Sequence, residues 1–207
     1  MNEIKVLIVE DEPVIATNMS MHLNNNDFSV SGIAYDFDEA INQLKTNTPD
    51  AAILDIGMEN PDDGISIAEI INSHYKIPFI FVTSFADRET LQKAKRVEPS
   101  GYIVKPFNEK TLLASLEIAI SNFANKSNYQ VRELDLLKLN RHLLSPLTDR
   151  EFEVLQHIYN GKTNNQIADG MFVSVNTIKA HIKSGYLKLD TSSRSTAIKR
   201  LRELMLK

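Results

Sequence analysis

KVLIVED, residues 5–11, runs from an unbroken apolar stretch straight into two carboxylates. The apolar part reads as a strand, roughly Ile4–Val9. The same arrangement returns three more times along the first half of the chain. AAIL (51–54) ends at Asp55, PFIFV (78–82) ends at Thr83, and GYIV (101–104) ends at Lys105. Strands alternating with helical segments predict a parallel sheet, and such sheets bind ligands outside the carboxyl ends of their strands. Glu10, Asp11, Asp55, Thr83 and Lys105 are therefore expected to meet at one edge.

Outward from these runs, the first 121 residues read as five βα units. Pro13–Leu23 has helical spacing at Val14, Ile15, Met19 and Leu23, with proline near its start, where it is tolerated. Asn24-Asn25-Asn26-Asp27 is a turn cluster ahead of a second strand, Phe28–Ala34. Asp36 or Asp38 caps the helix that holds Ala40, Ile41 and Leu44. The loop Glu59-Asn60-Pro61-Asp62-Asp63-Gly64 precedes a third helix marked by Ile67, Ile70 and Ile71. Leu91, Ala94 and Val97 stripe a fourth. Asn108 caps a fifth, which carries Leu112, Leu113, Leu116 and Ile120.

Three carboxylates, a hydroxyl and an ammonium at one edge suit a divalent metal and a phosphoryl group. Mg²⁺ takes near-octahedral oxygen ligation and keeps several waters, so one or two carboxylates plus a phosphate fit it. Asp11 and Asp55 are the expected direct ligands, the Gly57 carbonyl a third, and Glu10 a ligand through water. Asp55 is the candidate nucleophile, since a carboxylate can attack a phosphoryl group to form an acyl phosphate. Lys105 places a point charge at the phosphoryl oxygens, and Thr83 offers a hydroxyl. Any one of these residues alone reads as a helix cap or a surface group; the pattern after four strands carries the chemistry.

The chain has 207 residues, no cysteine and a net charge of −4. Disulfides and thiolate metal sites are thereby excluded. No signal peptide or membrane-length apolar stretch is visible, so a cytoplasmic protein without membrane contact is expected. The charge is unevenly spread: residues 1–121 carry a net −10, 122–144 a net +2 and 145–207 a net +4. An acidic part and a basic part suggest two modules with different partners. Ser121–Gln130 is polar and reads as a linker, and Val131–Leu144 as a segment with a short helix.

The last 60 or so residues contain no good strand. Thr148-Asp149-Arg150-Glu151 matches a capping box, followed by Phe152, Leu155, Ile158 and Tyr159 on one helix face. Gly161 is a helix stop. Asn164–Met171 reads as a short second helix. Ser174 caps a third, with Ile178, Ile182, Tyr186 and Leu189 on one side, and a final helix starts near Ser193.

VLIVEDE, AAILDIGM, IFVTS and GYIVKPF make residues 3–121 resemble the receiver domain of bacterial two-component response regulators. LTDREFEVLQHIYNGKTNNQIAD and VSVNTIKAHIKSGYLKL make residues 145–203 resemble the NarL/LuxR-type helix-turn-helix domain. The resemblance implies an α/β fold: a doubly wound, five-stranded parallel sheet of the flavodoxin-like receiver kind, over 1–121. A second, smaller all-α helix-turn-helix domain spans 145–207, after a linker, helical in part, over 122–144. It further implies phosphorylation of Asp55 by a sensor histidine kinase with Mg²⁺. Thr83 and Tyr102 would form a switch pair, and the Lys105–Pro106 bond would be cis. The sequence departs from the common receiver pattern in a longer loop after Asp55, with its proline at Pro61, and in Ser84 after the switch threonine.

The second helix of a helix-turn-helix lies in the major groove. Here that is about Val175–Leu189. Asn176, Lys179, Ala180 and Lys183 fall opposite its core face as expected contacts to base edges or phosphates of double-stranded DNA, and Thr177 and Lys162 as phosphate contacts. A net +4 on this module suggests modest affinity for one copy, so a homodimer on DNA is expected. Such a protein is not an enzyme beyond slow loss of its own phosphoryl group. The alternative is a DNA-binding pseudo-receiver that works without phosphorylation.

Overall fold

A computed structural model of the chain describes residues 3–24, 27–60, 62–84, 88–127, 131 and 133–207. Asn25 and Asn26 of the turn cluster, Pro61, Asn128–Gln130 of the expected linker and the Leu91 side chain lie outside the described residues. The chain divides into two compact units, one of Ile4–Ile120 and one built from Ser121–Lys207.

The first unit carries strands β1 (Ile4–Val9), β2 (Phe28–Ala34), β3 (Ala51–Asp55), β4 (Phe79–Thr83) and β5 (Gly101–Val104). Between and after them come α1 (Pro13–Leu23), α2 (Phe37–Asn47), α3 (Asp63–Ile70), α4 (Arg88–Arg96) and α5 (Glu109–Ser127). All strand pairs are parallel, in the order β2-β1-β3-β4-β5. The strands alternate side chains between two faces. Val6, Ile8, Ile53, Ile80 and Val82 pack with Ala16 and Met19 of α1 and Leu112 and Leu116 of α5. Leu7, Val9, Leu54, Phe79 and Phe81 pack with Ala40 and Leu44 of α2, Ile67 and Ala68 of α3, and Ala94 of α4. Helices thus cover both faces, which is why the central strands are apolar throughout. The expected doubly wound five-stranded parallel sheet is the observed one.

Local signals place the helix starts. Asp36 accepts the Glu39 amide at 2.8 Å, and Asn108 accepts the Thr111 amide at 2.9 Å. The sequence did not signal the π-helical turn Ile71–Tyr75 that extends α3 to the left-handed Lys76 (φ 55°).

Helix α5 runs on into the polar stretch read as a linker, as far as Ser127. SNFANKS contains no glycine or proline to stop α5, and Ala124 is buried. Further on, α6 (Leu136–Asn140) begins at Asp135, whose side chain accepts the Lys138 amide at 2.9 Å. Val131, Leu134 and Leu139 join the core of the second unit, and the Tyr159 hydroxyl donates to the Val131 carbonyl at 2.8 Å.

That unit continues with α7 (Asp149–Tyr159), α8 (Asn164–Met171), α9 (Val175–Leu189) and α10 (Arg194–Leu206). The Thr148/Glu151 capping box forms as expected. Thr163 and Gln166 form a second one, which the T-x-x-Q spelling would have revealed. Gly161 adopts φ 79° just past α7, a conformation that suits glycine at a helix stop.

Candidate functional site

Parallel register assembles the edge. Val9 pairs with Leu54, so Glu10 follows on beside Asp55. Asp55 pairs with Val82, so Thr83 lies one residue beyond it. Thr83 pairs with Val104, so Lys105 comes next, and the Lys105 amide donates to the Thr83 carbonyl at 2.8 Å. Four strand ends thereby deliver the acidic, hydroxyl and ammonium groups to one side of the sheet.

Glu10, Asp55 and Thr83 are buried, while Asp11 is half-buried. The Lys105 Nζ donates to Glu10 Oε1 at 2.8 Å and to Asp55 Oδ2 at 2.7 Å. The other Asp55 oxygen, Oδ1, accepts the Gly57 amide at 2.8 Å. Asp11 Oδ2 accepts the Glu59 amide at 2.8 Å, which ties the β3–α3 loop to the carboxylate after β1. The Lys105–Pro106 peptide bond is cis. Tyr102 is 38% exposed, with its ring 5.8 Å from that of Phe81.

Burial pushes the Glu10 carboxyl up to about 7; the Lys105 hydrogen bond opposes this and the charge of Asp55 adds to it. Burial works against the Lys105 charge, but the hydrogen bonds to Asp55 and Glu10 outweigh it and raise the pKa. The pocket thus concentrates negative charge that one ammonium only partly offsets.

Glu10, Asp11 and Asp55 each present an oxygen, and these atoms lie within 4.8 Å of one another. Among the described residues, Glu10 Oε2 is buried with no hydrogen-bond partner. A hard cation with its water shell would satisfy that oxygen and balance the charge, so the residues present fit Mg²⁺.

Gly64, in the first turn of α3, permits the close approach behind Asp55. A Cβ at this position would collide with the Asp55 backbone carbonyl, which cannot give way without moving β3. Gly64→Ala is expected to destabilise the first unit by about 1–3 kcal/mol through overpacking. Hydrogen exchange of the β3 amides in the full chain measures it; wild-type protection would refute the constraint.

In the second unit, Ile178, Ile182, Tyr186 and Leu189 of α9 are buried in its core. Asn176, Thr177, Ala180 and Lys183 are exposed on the other side, and Lys179 is half-buried. The Ser174 Oγ accepts the Thr177 amide at 3.1 Å and lies 2.8 Å from Thr177 Oγ1, so Thr177 helps cap α9. Lys162 is exposed in the turn after α7, away from α9 in sequence. The face opposite the core of α9 therefore combines an amide, lysines and small apolar groups, a chemistry suited to base edges and phosphates.

A part-buried ion pair, which the sequence does not signal, ties α9 to the start of α7. The Lys188 Nζ donates to Glu151 Oε2 at 2.7 Å and Ser184 Oγ to Glu151 Oε1 at 2.6 Å. Burial alone would raise the Glu151 pKa, but the hydrogen bonds from Lys188, Ser184 and Thr148 hold it at about 2. The folded pKa lies below the ordinary 4.5, so this stability is present above pH 4.5 and lost as pH falls toward 2. Glu151→Gln keeps the cap and removes the charge. It is expected to cost about 1.5–3 kcal/mol at pH 7 and to flatten the acid slope of α7 amide protection between those pH values. An unchanged slope in hydrogen exchange would count against the pair.

Among the described residues no helix is long and apolar enough to cross a membrane. A two-sided α/β module with an acidic pocket at its sheet edge, joined to a helix-turn-helix module, defines a signal-dependent DNA-binding regulator. Comparison with known proteins agrees. The response regulator receiver domain family matches residues 6–117, and the bacterial regulatory proteins of the luxR family match residues 145–201. The chain belongs to the response regulator receiver family and, with its luxR-family module, is a two-component transcriptional response regulator. Among curated relatives, the probable transcriptional regulatory protein SgaR of Hyphomicrobium methylovorum is 29% identical over 95% of this chain and 92% of its own length. The oxygen regulatory protein NreC of Staphylococcus aureus is 29% identical over 92% of this chain and 93% of its own. Among solved structures, the signal receiver domain of a modulated diguanylate cyclase from Desulfovibrio desulfuricans G20 is 35% identical. It superimposes with a TM-score of 0.56 over 60% of this chain and 99% of its own. Chemotaxis protein CheY4 of Vibrio cholerae is 31% identical, with a TM-score of 0.52 over 56% of this chain and 98% of its own.

Proposed function

We propose that Asp55 is the phosphoacceptor and that its phosphorylation by a sensor histidine kinase controls binding of the second unit to DNA. The observation that carries this reading is the shared Lys105 ammonium between buried Glu10 and Asp55 at the carboxyl edge of the sheet. An Asp55 carboxylate oxygen forms a bond to phosphorus as the bond from phosphorus to the donor histidine nitrogen breaks, and that nitrogen keeps the electron pair. The Gly57 amide on Oδ1 orients the carboxylate before attack. Lys105 then turns from Asp55 to the phosphoryl oxygens as their counter-charge.

Asp11 and Asp55, with the Gly57 carbonyl and Glu10 through water, would hold Mg²⁺. When bound, Mg²⁺ supplies neutralisation of charge on the transferring group. Phosphorylation adds about −1.5 to −2 charges to a site already rich in carboxylates. Thr83 answers with its hydroxyl, and the Tyr102 ring fills the space behind it. In this reading Lys105, Thr83 and Tyr102 convert a local charge into a change at the surface of the unit. The protein works in the cytoplasm.

Asn176, Lys179, Ala180 and Lys183 of α9 face base edges and phosphates, with Thr177 and Lys162 on the phosphate backbone, and two copies bind as a dimer. DNA affinity is expected to rise about 5- to 150-fold with the phosphoryl mimic beryllofluoride bound, the range of ordinary coupling between sites. Titration of the full chain with DNA, with and without the mimic, measures it. Equal affinities would rule out the switch while leaving DNA binding intact.

A further inference from the structure

The turn between α8 and α9 holds a residue that the fold itself does not need. MFVSV, residues 171–175, turns Met171 and Val175 inward against the core of the second unit. Phe172 is 94% exposed and Val173 40% exposed. Phe172 also sits at φ 56°, ψ 42°, in the left-handed region. Its place is dictated by the end of α8: the Val173 amide reaches the Ala168 carbonyl at 3.0 Å and the Phe172 amide the Asp169 carbonyl at 3.3 Å. Glycine or asparagine takes such a position at little cost, whereas a bulky side chain there is strained. The chain therefore places an aromatic ring in solvent at a backbone position that works against it. Just upstream, a Cβ at Gly170 would meet nothing within 4 Å, so the surface beside the turn is open.

The position of the turn identifies what covers the ring. Ser174, two residues on, caps α9, and Asn176 and Lys179 lie in its first turns. In a helix-turn-helix the amino-terminal residues of the second helix reach base edges while the first helix crosses the backbone. The turn joins those two contacts, so a side chain projecting from it lies against the wall of the groove. We propose that Phe172, flanked by Val173, packs on the apolar surface of DNA, its deoxyribose carbons and thymine methyl groups, and seats α9 in the groove. This inference rests on the reading of α9 as the DNA-contacting helix and adds to it an apolar, salt-independent contact. Phe172 is a positioning residue: it bonds to no base edge but sets how deep the lysines and Asn176 reach.

The test uses the full chain and a duplex enriched by it from a random-sequence pool. Phe172→Asn suits the left-handed backbone, so its thermal midpoint is expected to equal or exceed that of wild type. Its DNA affinity is expected to fall about tenfold, as for loss of one buried aromatic contact. No counterion is released by a phenyl ring, so the slope of log affinity against log salt stays at the wild-type value. Lys183→Ala, measured alongside, lowers that slope by about 1. Wild-type affinity in Phe172→Asn, with Lys183→Ala still weakened, overturns the proposal. Wild-type behaviour in Lys183→Ala instead overturns the underlying reading of α9. A duplex with uracil in place of thymine distinguishes the two apolar sources. If wild type loses affinity on it while Phe172→Asn does not, the contact is to methyl groups; equal losses place it on deoxyribose.

Discussion

Asp55→Asn is expected to take up no phosphoryl group from acetyl phosphate under conditions where the wild type gains one per chain. The substitution is close to isosteric. Its amide oxygen can still accept the Gly57 amide, and β3 remains apolar and buried around it. What disappears is the negative charge that makes position 55 a nucleophile. Removal of one carboxylate from the Glu10–Asp11–Asp55 cluster also relieves repulsion, so the variant should remain folded. Intact-protein mass spectrometry reads the result as the presence or absence of one added phosphoryl group, and far-ultraviolet circular dichroism checks the fold. Phosphoryl uptake by Asp55→Asn equal to wild type would refute the assignment, and the pseudo-receiver alternative requires that neither protein be labelled.

The second large effect is on DNA. Replacement of both Lys179 and Lys183 with alanine is expected to weaken binding by about 100-fold or more, since each good contact of this kind contributes about 1–3 kcal/mol. Both lysines lie on α9 away from its buried stripe of Ile178, Ile182, Tyr186 and Leu189. Their loss leaves the core intact, and alanine favours the helix. If they neutralise phosphates, the salt slope should drop by about 2 as well; if they read base edges, discrimination among sequences should relax. Fluorescence anisotropy over a salt series with the full chain separates the two. Wild-type affinity in the double variant would move the interface elsewhere on the unit.

Where the sequence was legible, the signal was local. KVLIVED showed both a strand and its end because the change from apolar to acidic falls at the strand boundary, and β1 is Ile4–Val9 as read. Asp36, Asn108, Thr148 and Ser174 announced helix starts because a cap bonds an amide three residues on. The end of α5 was less legible. Polar composition suggested a linker, but polarity does not end a helix without a glycine or proline to break it. The ion pair between Glu151 and Lys188 was invisible for the opposite reason. Its partners are 37 residues apart, and nothing in the spelling of either segment points to the other.

Val14, read on the apolar face of α1, is 81% exposed. Elsewhere the sequence by itself determined the order of the elements, the buried stripes of α2, α5, α7 and α9, and which chemistry stands at the strand ends. These follow from periodicity and from bonds spanning a few residues. Only the tertiary structure decided that Lys105 bridges Glu10 and Asp55, 95 and 50 residues away, that Gly64 backs onto the Asp55 carbonyl, and that Phe172 stays in solvent beside α9. Such contacts depend on the register of neighbouring strands and the packing of helices, and no local rule specifies either.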